Sequence, residues 1–480
     1  MRSNDWMKQS IIDFDRRGAH VGGVPIESLI VAHGTPLFVF SAAKLRERSQ
    51  QVKKAFGSRC PAARVFYASK ANSNLHILRL LRDEGLNVEV NSGGELFKVL
   101  RAGFDPAQVV FNGVAKSASE ISEALAVSIN AINVDSLCEL ERVCSLAKGS
   151  SSSARVALRM VPEVKTGSSA GLETGTHESK FGMDHVELAE AAALAKLHKG
   201  TVQVVGLHMH IGSQTPSLDK YCHGIDALLR TAEELLREHG IAVEHVNIGG
   251  GIPIPYLHDT DPWRDAAESS ANEISMNAIE YLSANLNCED VADAVCNRLQ
   301  ECLQRKTVDS EYTRAWTSLA NVELYVEPGR YVTGESAILL TEIQSARNRS
   351  GDPTGWLMLD AGFNVLLEAF DYSWYFPAVS ASRITDPHDT PYRLAGPLCD
   401  GGDVFLDHEG FGRLPETRQL PSATEPGDIL AFLNVGAYTL EQMMQYNGQR
   451  RAAAVMVDNG QVTVIRKRDS YEDLILHDEL

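Results

Sequence analysis

The sequence has no basic tract and little positive charge overall: 45 Lys and Arg stand against 63 Asp and Glu, a formal charge of -18. That balance opposes binding a polyanion through bulk electrostatics, so nucleic acid is not an expected partner. No apolar run approaches the roughly 18 to 20 residues that span a bilayer. Residues 1–10 lack the apolar stretch of a signal peptide, so no membrane association is expected and the chain is expected in the cytoplasm. His477-Asp478-Glu479-Leu480 spell an ER-retention address, but that address is read only inside the secretory pathway, and it is expected to be coincidental here. The eight cysteines (60, 138, 144, 222, 288, 296, 302 and 399) form no Cys-x-x-Cys pair and no Cys/His cluster with zinc-like spacing. Neither a disulfide scaffold nor a metal site is therefore expected. Internal repeats and low-complexity tracts are also missing.

What is present is a long alternation of short apolar runs and amphipathic helical patterns. Strands are predicted at 64–68, 87–90, 108–112, 131–134, 155–160, 202–210, 244–248 and 322–326, with helices such as 94–102, 117–128, 137–147, 186–196 and 218–239 between them. Parallel strands need helical crossovers, and eight of them close a filled cylinder. The fold class predicted is α/β: a (β/α)₈ TIM-type barrel plus a C-terminal all-β domain, with a doubly wound open sheet as the alternative. Residues 1–41 are expected to contribute to the β domain, through the strand-like run at 37–40. The barrel is expected over 42–338, carrying an acidic, partly helical insertion at about 257–318, and the β domain over 339–480. A polar turn is expected at 150–153.

In such a barrel chemistry sits at the C-terminal ends of the strands. The first strand ends in Lys70, inside Val65-Phe66-Tyr67-Ala68-Ser69-Lys70-Ala71-Asn72. A lysine among apolar residues loses solvation for its ammonium form, which favours a free amine able to attack a carbonyl; a solvated surface lysine is the plainer reading of this stretch taken alone. The second strand carries Glu89. Further on come His210 and Ser213 in His208-Met209-His210-Ile211-Gly212-Ser213-Gln214, then Gly249-Gly250-Gly251, then Glu327-Pro328-Gly329-Arg330. Consecutive glycines let backbone N–H groups approach an anion. A histidine ring could stack on an aromatic cofactor, and a carboxylate could keep a pyridine nitrogen protonated. Each alone has an ordinary structural reading. Their joint order suits a cofactor with one phosphate, one ring and one aldehyde.

With Ser179-Lys180-Phe181-Gly182, Gly396-Pro397-Leu398-Cys399-Asp400-Gly401-Gly402-Asp403 and Gly436-Ala437-Tyr438 added, the sequence resembles the pyridoxal-phosphate decarboxylases with an alanine-racemase-type barrel. That group includes diaminopimelate decarboxylase and eukaryotic ornithine decarboxylase, and the motifs extend from about residue 30 to 460. The resemblance implies pyridoxal 5'-phosphate held covalently by Lys70, with His210 on its ring and Glu327 at its pyridine nitrogen. Ser213, Gly250, Gly251, Gly329, Arg330 and Tyr438 would surround the phosphate. Glu89 falls where the family usually has aspartate. Cys399 or Lys70 would return a proton to the reacting carbon, and Cys399 and Asp400 would lie in a loop that reaches the partner subunit's site, which implies a head-to-tail homodimer with shared active sites.

The diaminopimelate enzymes carry an arginine at the position of Glu368, where it binds the substrate's second carboxylate. Reversing that charge would repel a carboxylate and favour a cation. Glu368, Tyr372 and Asp400 are therefore the expected substrate contacts, and a basic diamino acid of either hand, ornithine or lysine in type, is the expected substrate. Three other readings stand beside it: a decarboxylase of a larger siderophore or antibiotic intermediate, a catalytically silent regulatory relative, and a racemase on the same fold, which the His-Ile-Gly-Ser-Gln and Cys-Asp-Gly loops fit less well.

Overall fold

The short apolar runs close into a barrel of eight parallel strands: Ala63–Ala68, Asn87–Val90, Val109–Phe111, Ala131–Val134, Ala154–Arg159, Val202–His208, His245–Asn247 and Glu323–Val326, the last pairing back onto the first. The structure is a computed structural model that describes residues 10–16, 18–148, 153–164, 175–176, 178–257, 263, 273–305, 322–407 and 410–479. Each strand is short and buried on both faces, as parallel strands covered by helices must be, which is why they read as continuous apolar runs. The helices begin where a polar side chain can take up their first free N–H groups. Ser92, Ser117, Ser136 and Asp184 each accept from a backbone N–H in the first turn of the helix that follows. Phe66, Val110, Ala131, Val205 and Tyr325 fill the barrel interior as one buried cluster.

The chain divides into two compact units. The barrel forms one, Arg48–Pro253 with Asn285–Gly329; the other gathers Met1–Glu47, Ile254–Ala284 and Arg330–Leu480. The second unit is built on an eleven-residue strand, Ala337–Arg347. That strand pairs antiparallel with Leu37–Ser41, Ile429–Phe432 and Gly355–Leu359. Leu37–Ser41 also pairs in parallel with Ala453–Asp458, so the early strand is integral to the β-rich unit. The expected boundary at 338 and 339 falls inside the long strand. A hairpin of Ile12–Asp15 and Gly18–Val21 is added at the start. The span expected as a single insertion divides: helix Glu273–Leu282 belongs to the β-rich unit and helix Cys288–Arg305 to the barrel unit. The rest of that span, at 258–262, 264–272 and 306–321, lies outside the described residues, as does most of the expected turn at 150–153. Among the described residues no helix is long and apolar enough to cross a membrane.

One packing constraint inside the barrel is tight enough to test. His245 is buried and stacks on Tyr325 with ring centroids 4.1 Å apart and planes 7° from parallel. It pairs in register with Gly206, where a Cβ would overlap the imidazole ring. Both neighbours are fixed by the core, so Gly206→Ala is expected to destabilise the protein by about 1 to 3 kcal/mol. The check is a drop in thermal midpoint.

Candidate active site

The first barrel strand ends at Ala68 and runs into a single 3₁₀ turn, Ser69–Ala71, that carries half-buried Lys70. The turn is clamped on both sides of the lysine. Ser69 Oγ donates to Glu95 Oε2 at 2.7 Å, and the same oxygen accepts from Asn91 N at 2.8 Å. Tyr67 donates its hydroxyl to the carbonyl of Asn72 at 2.9 Å. The lysine is thus held at the barrel mouth by its neighbours' hydrogen bonds.

Glu327, one residue past the eighth strand, is 5% exposed and collects donors from three other strand ends. Asn112 Nδ2 donates to Oε2 at 2.9 Å and Asn247 Nδ2 to Oε1 at 2.7 Å. His208 Nε2 stands 3.2 Å from Oε2. Burial opposes a charge here, but the His208 ring and the two amides outweigh it and bring Glu327 down to about 2. Burial lowers His208 in turn, while the Glu327 carboxylate beside it pulls the other way. The result is one fixed anion at the mouth.

Glu89, on the second strand opposite Ala68, is the reverse case. It is fully buried, and neither carboxylate oxygen has a hydrogen-bond partner among the described residues. Burial pushes it up to about 8 against the pull of Lys70.

The three glycines after the seventh strand are dictated by backbone contact. A Cβ on Gly249 would meet the Met209 carbonyl at 2.6 Å, one on Gly250 the Glu327 carbonyl, and one on Gly251 the Gly212 carbonyl at 2.6 Å. Gly249 and Gly251 also hold φ of +67° and +98°. Their N–H groups are not equivalent. Gly249 donates to Asn247 Oδ1 at 2.9 Å, and Gly250 donates to His210 Nδ1 at 3.1 Å. Gly250, expected beside the phosphate, spends its N–H on the His210 ring. Gly251 N–H has no protein partner among the described residues. Burial, with Lys70 and Arg159 adding to it, lowers His210 well below its usual value, so a neutral flat ring is presented. Ser213 is half-buried and follows Gly212 in the same loop, and Gly329 is buried.

The β-rich unit holds the remaining candidates. Arg330 and Glu368, both buried, face each other as two parallel forks: Nη1 donates to Oε2 at 3.2 Å and Nη2 to Oε1 at 3.1 Å. Arg330 Nη1 also donates to Tyr256 Oη at 2.9 Å, and its guanidinium lies 4.4 Å from the Trp374 ring and 4.6 Å from the Tyr438 ring. Tyr438 is held at φ +56°, in the left-handed region. Burial raises Glu368, the Arg330 charge pulls it back, and Arg330 itself is raised by its partner. Arg330 is expected at a phosphate and Glu368 at a substrate; the structure shows the two side chains paired with each other. Tyr372 is half-buried on the turn that follows Glu368.

Cys399 and Asp400 are exposed on a loop organised from within by Asp403. Asp403 accepts from Phe363 N and Leu398 N, each at 2.8 Å. Asp400 accepts from Gly402 N at 2.9 Å and from Tyr446 Oη at 3.3 Å.

Sequence reasoning missed the residues that make these groups work. Asn112, His208 and Asn247 lie within two residues of strand ends that the apolar pattern located, and a polar residue ending a buried strand is the signal that marks them. Arg159, buried beside Asp135 at 3.3 Å and over the Phe181 ring at 4.4 Å, ends the fifth strand in the same way. Tyr256 and Trp374 carry no such signal.

Pyridoxal phosphate requires an amine for its aldehyde, an anion for its ring nitrogen, a flat face for its ring and N–H groups for its phosphate. Lys70, Glu327, His210 and Gly251 offer these within the barrel unit, so the donor set fits the cofactor. Comparison with known proteins agrees. The profile for the pyridoxal-dependent decarboxylase, pyridoxal binding domain, matches residues 42–334. Diaminopimelate decarboxylase of Methanothermobacter thermautotrophicus is 31% identical over 455 residues, covering 95% of this chain and 94% of that one. The enzyme of the same name from Bacillus subtilis is 31% identical over 457 residues, with 95% and 94% coverage. A crystal structure of diaminopimelate decarboxylase from M. jannaschii superposes with a TM-score of 0.81 at 29% identity over 98% of each chain. The lysine/ornithine decarboxylase of Vibrio vulnificus shares the fold, with a TM-score of 0.69 at 21% identity over 90% of this chain and 97% of that one. Matched across its barrel by the profile and along nearly all its length by these relatives, the chain belongs to the pyridoxal-dependent decarboxylases, carboxy-lyases that work through pyridoxal 5'-phosphate.

Proposed function

We propose that the substrate is a basic diamino acid, ornithine or lysine in type and of either hand at the reacting carbon, released as carbon dioxide and a diamine. The observation that carries this reading is the closure of Glu368 on Arg330. In the diaminopimelate enzymes, which the curated relatives are named for, an arginine stands at the position of Glu368 and binds a distal carboxylate. The exchange does more than remove that cation. By pairing with Arg330 it also neutralises a second one, so a distal carboxylate meets a closed ion pair instead of free guanidinium groups. A substrate without that carboxylate loses nothing.

Because both oxygens of Glu368 accept from Arg330, a distal ammonium falls to another anion. Asp400 is the candidate, exposed with Cys399 on the loop that Asp403 builds. A loop that presents an acid and a thiol outward suits an active site completed by a second copy of the chain, and a head-to-tail homodimer is part of this proposal. The bound cofactor supplies an electron sink for the carbon that loses carbon dioxide. Lys70 would anchor the cofactor, Glu327 would keep a proton on its ring nitrogen, His210 would face the ring and Gly251 would offer an N–H to the phosphate. Cys399 of the second copy delivers a proton to the reacting carbon.

Three outcomes are expected. Carbon dioxide release against D- and L-lysine, D- and L-ornithine, arginine and meso-diaminopimelate should favour a lysine or ornithine; preference for diaminopimelate would defeat the substrate reading, and release from none of them would favour a larger intermediate. Lys70→Ala should lose the cofactor's visible absorbance and all turnover while the far-ultraviolet circular dichroism stays unchanged. Glu368→Ala should cost about 3 to 5 kcal/mol in denaturant unfolding, because it strands a buried guanidinium, and Arg330→Met with Glu368→Leu should recover most of the loss.

A further inference from the structure

Two carboxylates open on the same barrel mouth, and the structure treats them in opposite ways. Glu327 is given three hydrogen-bond partners. Glu89 is fully buried, and among the described residues neither of its oxygens meets a donor in hydrogen-bond geometry, the nearby Asn112 amide being turned to Glu327 and only drawing on Glu89 electrostatically. A bare buried carboxylate is costly enough that such groups take up a proton instead.

The groups packed around Glu89 explain why it stays bare. From the first strand, Lys70 stands two residues beyond Ala68, the register partner of Glu89. Asn112, beyond the third strand, turns Nδ2 to Glu327, and its Oδ1 accepts from Asn133 at 2.5 Å. Glu95, on the helix after the second strand, has Oε2 committed to Ser69 and Asn91. Arg159, from the fifth strand, is engaged with Asp135. Glu327 is itself an anion and repels a second one. Of the surrounding groups only Lys70 both attracts the Glu89 carboxylate and changes its own state in the reaction. Two acids in one site whose environments push them apart mark a division of roles. Glu327 is the fixed anion, and Glu89 is the group free to gain or lose a proton.

We propose that Glu89 is the proton-sharing partner of Lys70: it holds a proton on a carboxyl oxygen while the lysine amine is bound to the cofactor, and passes it to Lys70 Nζ when a substrate amine sets the lysine free. The transfer breaks an O–H bond and forms an N–H bond, turning a neutral acid and a neutral amine into a carboxylate and an ammonium. When Lys70 re-engages the cofactor, the proton returns to Glu89. No outside reactant is consumed. Glu89 therefore acts through Lys70 as a positioning residue, and the proposal rests on Lys70 being the cofactor's anchor.

Infrared difference spectroscopy of the wild-type holoenzyme is the direct test. A protonated carboxyl stretch should be present at neutral pH, sensitive to deuterium exchange, lost as pH rises through about 8, and missing from Glu89→Gln. The Glu89→Gln holoenzyme should keep the visible band, lose the alkaline limb of its kcat/KM profile, and drop in kcat by about 10²-fold with little change in KM. Glu89→Asp should restore both the limb and most of kcat. Stability supplies a third readout. Glu89 has its proton site raised from 4.5 to about 8 on folding, so its contribution is present in full below pH 4.5 and lost as pH rises to 8. Wild type should therefore lose more thermal stability than Glu89→Gln across that window.

A wild-type spectrum with no carboxyl band that Glu89→Gln or Glu89→Asp removes or shifts overturns the proposal, and so does a Glu89→Gln enzyme with the wild-type pH profile. If Glu89→Gln fails to load, the wild-type and Glu89→Asp spectra still decide. Failure of the anchor reading looks different, since Lys70→Ala would then retain the visible band.

Discussion

One carboxylate ties the barrel mouth together. Glu327 on the eighth strand takes donors from Asn112 beyond the third strand, from His208 at the end of the sixth and from Asn247 at the end of the seventh. His208 and Asn247 are register partners, so two of these donors reach the same acceptor only because the sixth and seventh strands are aligned as they are. A slip of one residue would turn both side chains to the other face. The arrangement that keeps a charge on Glu327 inside a dry barrel is therefore also one that enforces strand register. Burial pushes Glu89 on the second strand up to about 8, and the fixed charge of Glu327 adds to that push.

The β-rich unit solves the same electrostatic problem differently. Arg330 is as deeply buried as Glu327, but its charge is met by an opposite charge instead of neutral dipoles. The fork geometry gives two parallel hydrogen bonds, and the faces of Trp374 and Tyr438 cover the delocalised cation. Such a pair is no strong source of stability, because desolvating two ions offsets most of the attraction. Its consequence is electrostatic: the two charges largely cancel each other within the β-rich unit. The anion in the barrel is met by neutral dipoles and keeps its net charge, whereas the ions in the β-rich unit are closed on each other.

How much of this was legible in the sequence follows from the range of each interaction. The barrel strands were legible because every one is a short apolar run and the helices between them repeat at helical spacing. Lys70, His210, the glycines and Glu327 were legible because strand ends order them along the chain. The strand Ala337–Arg347 was not, since its first half is buried on both faces and its second half is exposed, so neither a continuous run nor a clean alternation marks it. Glu368 was read as a free anion because its partner lies 38 residues away, and nothing in either local segment announces the pairing. The sequence does not announce that the Gly250 N–H meets His210, because that acceptor lies forty residues earlier. Local chemistry identified the groups, and long-range geometry decided which of them were already spoken for.

The same reasoning bears on why the proposed substrate contact needs a second subunit. An ion pair at 4 Å gains only about 1 kcal/mol in bulk water and several times that where the surroundings are less polar. Asp400 is exposed, so in a lone chain its attraction for a distal ammonium would be screened and would barely separate lysine from a neutral analogue. Glu327 and His210 in the barrel are buried and hydrogen-bonded, and they need no help to be in place. The acid assigned to choose the substrate is neither. On the proposed reading, selectivity for a basic substrate appears only when another copy covers the Cys399-Asp400 loop and removes its water, so dilution that separates the copies should erase discrimination among substrates before it strips the cofactor from Lys70.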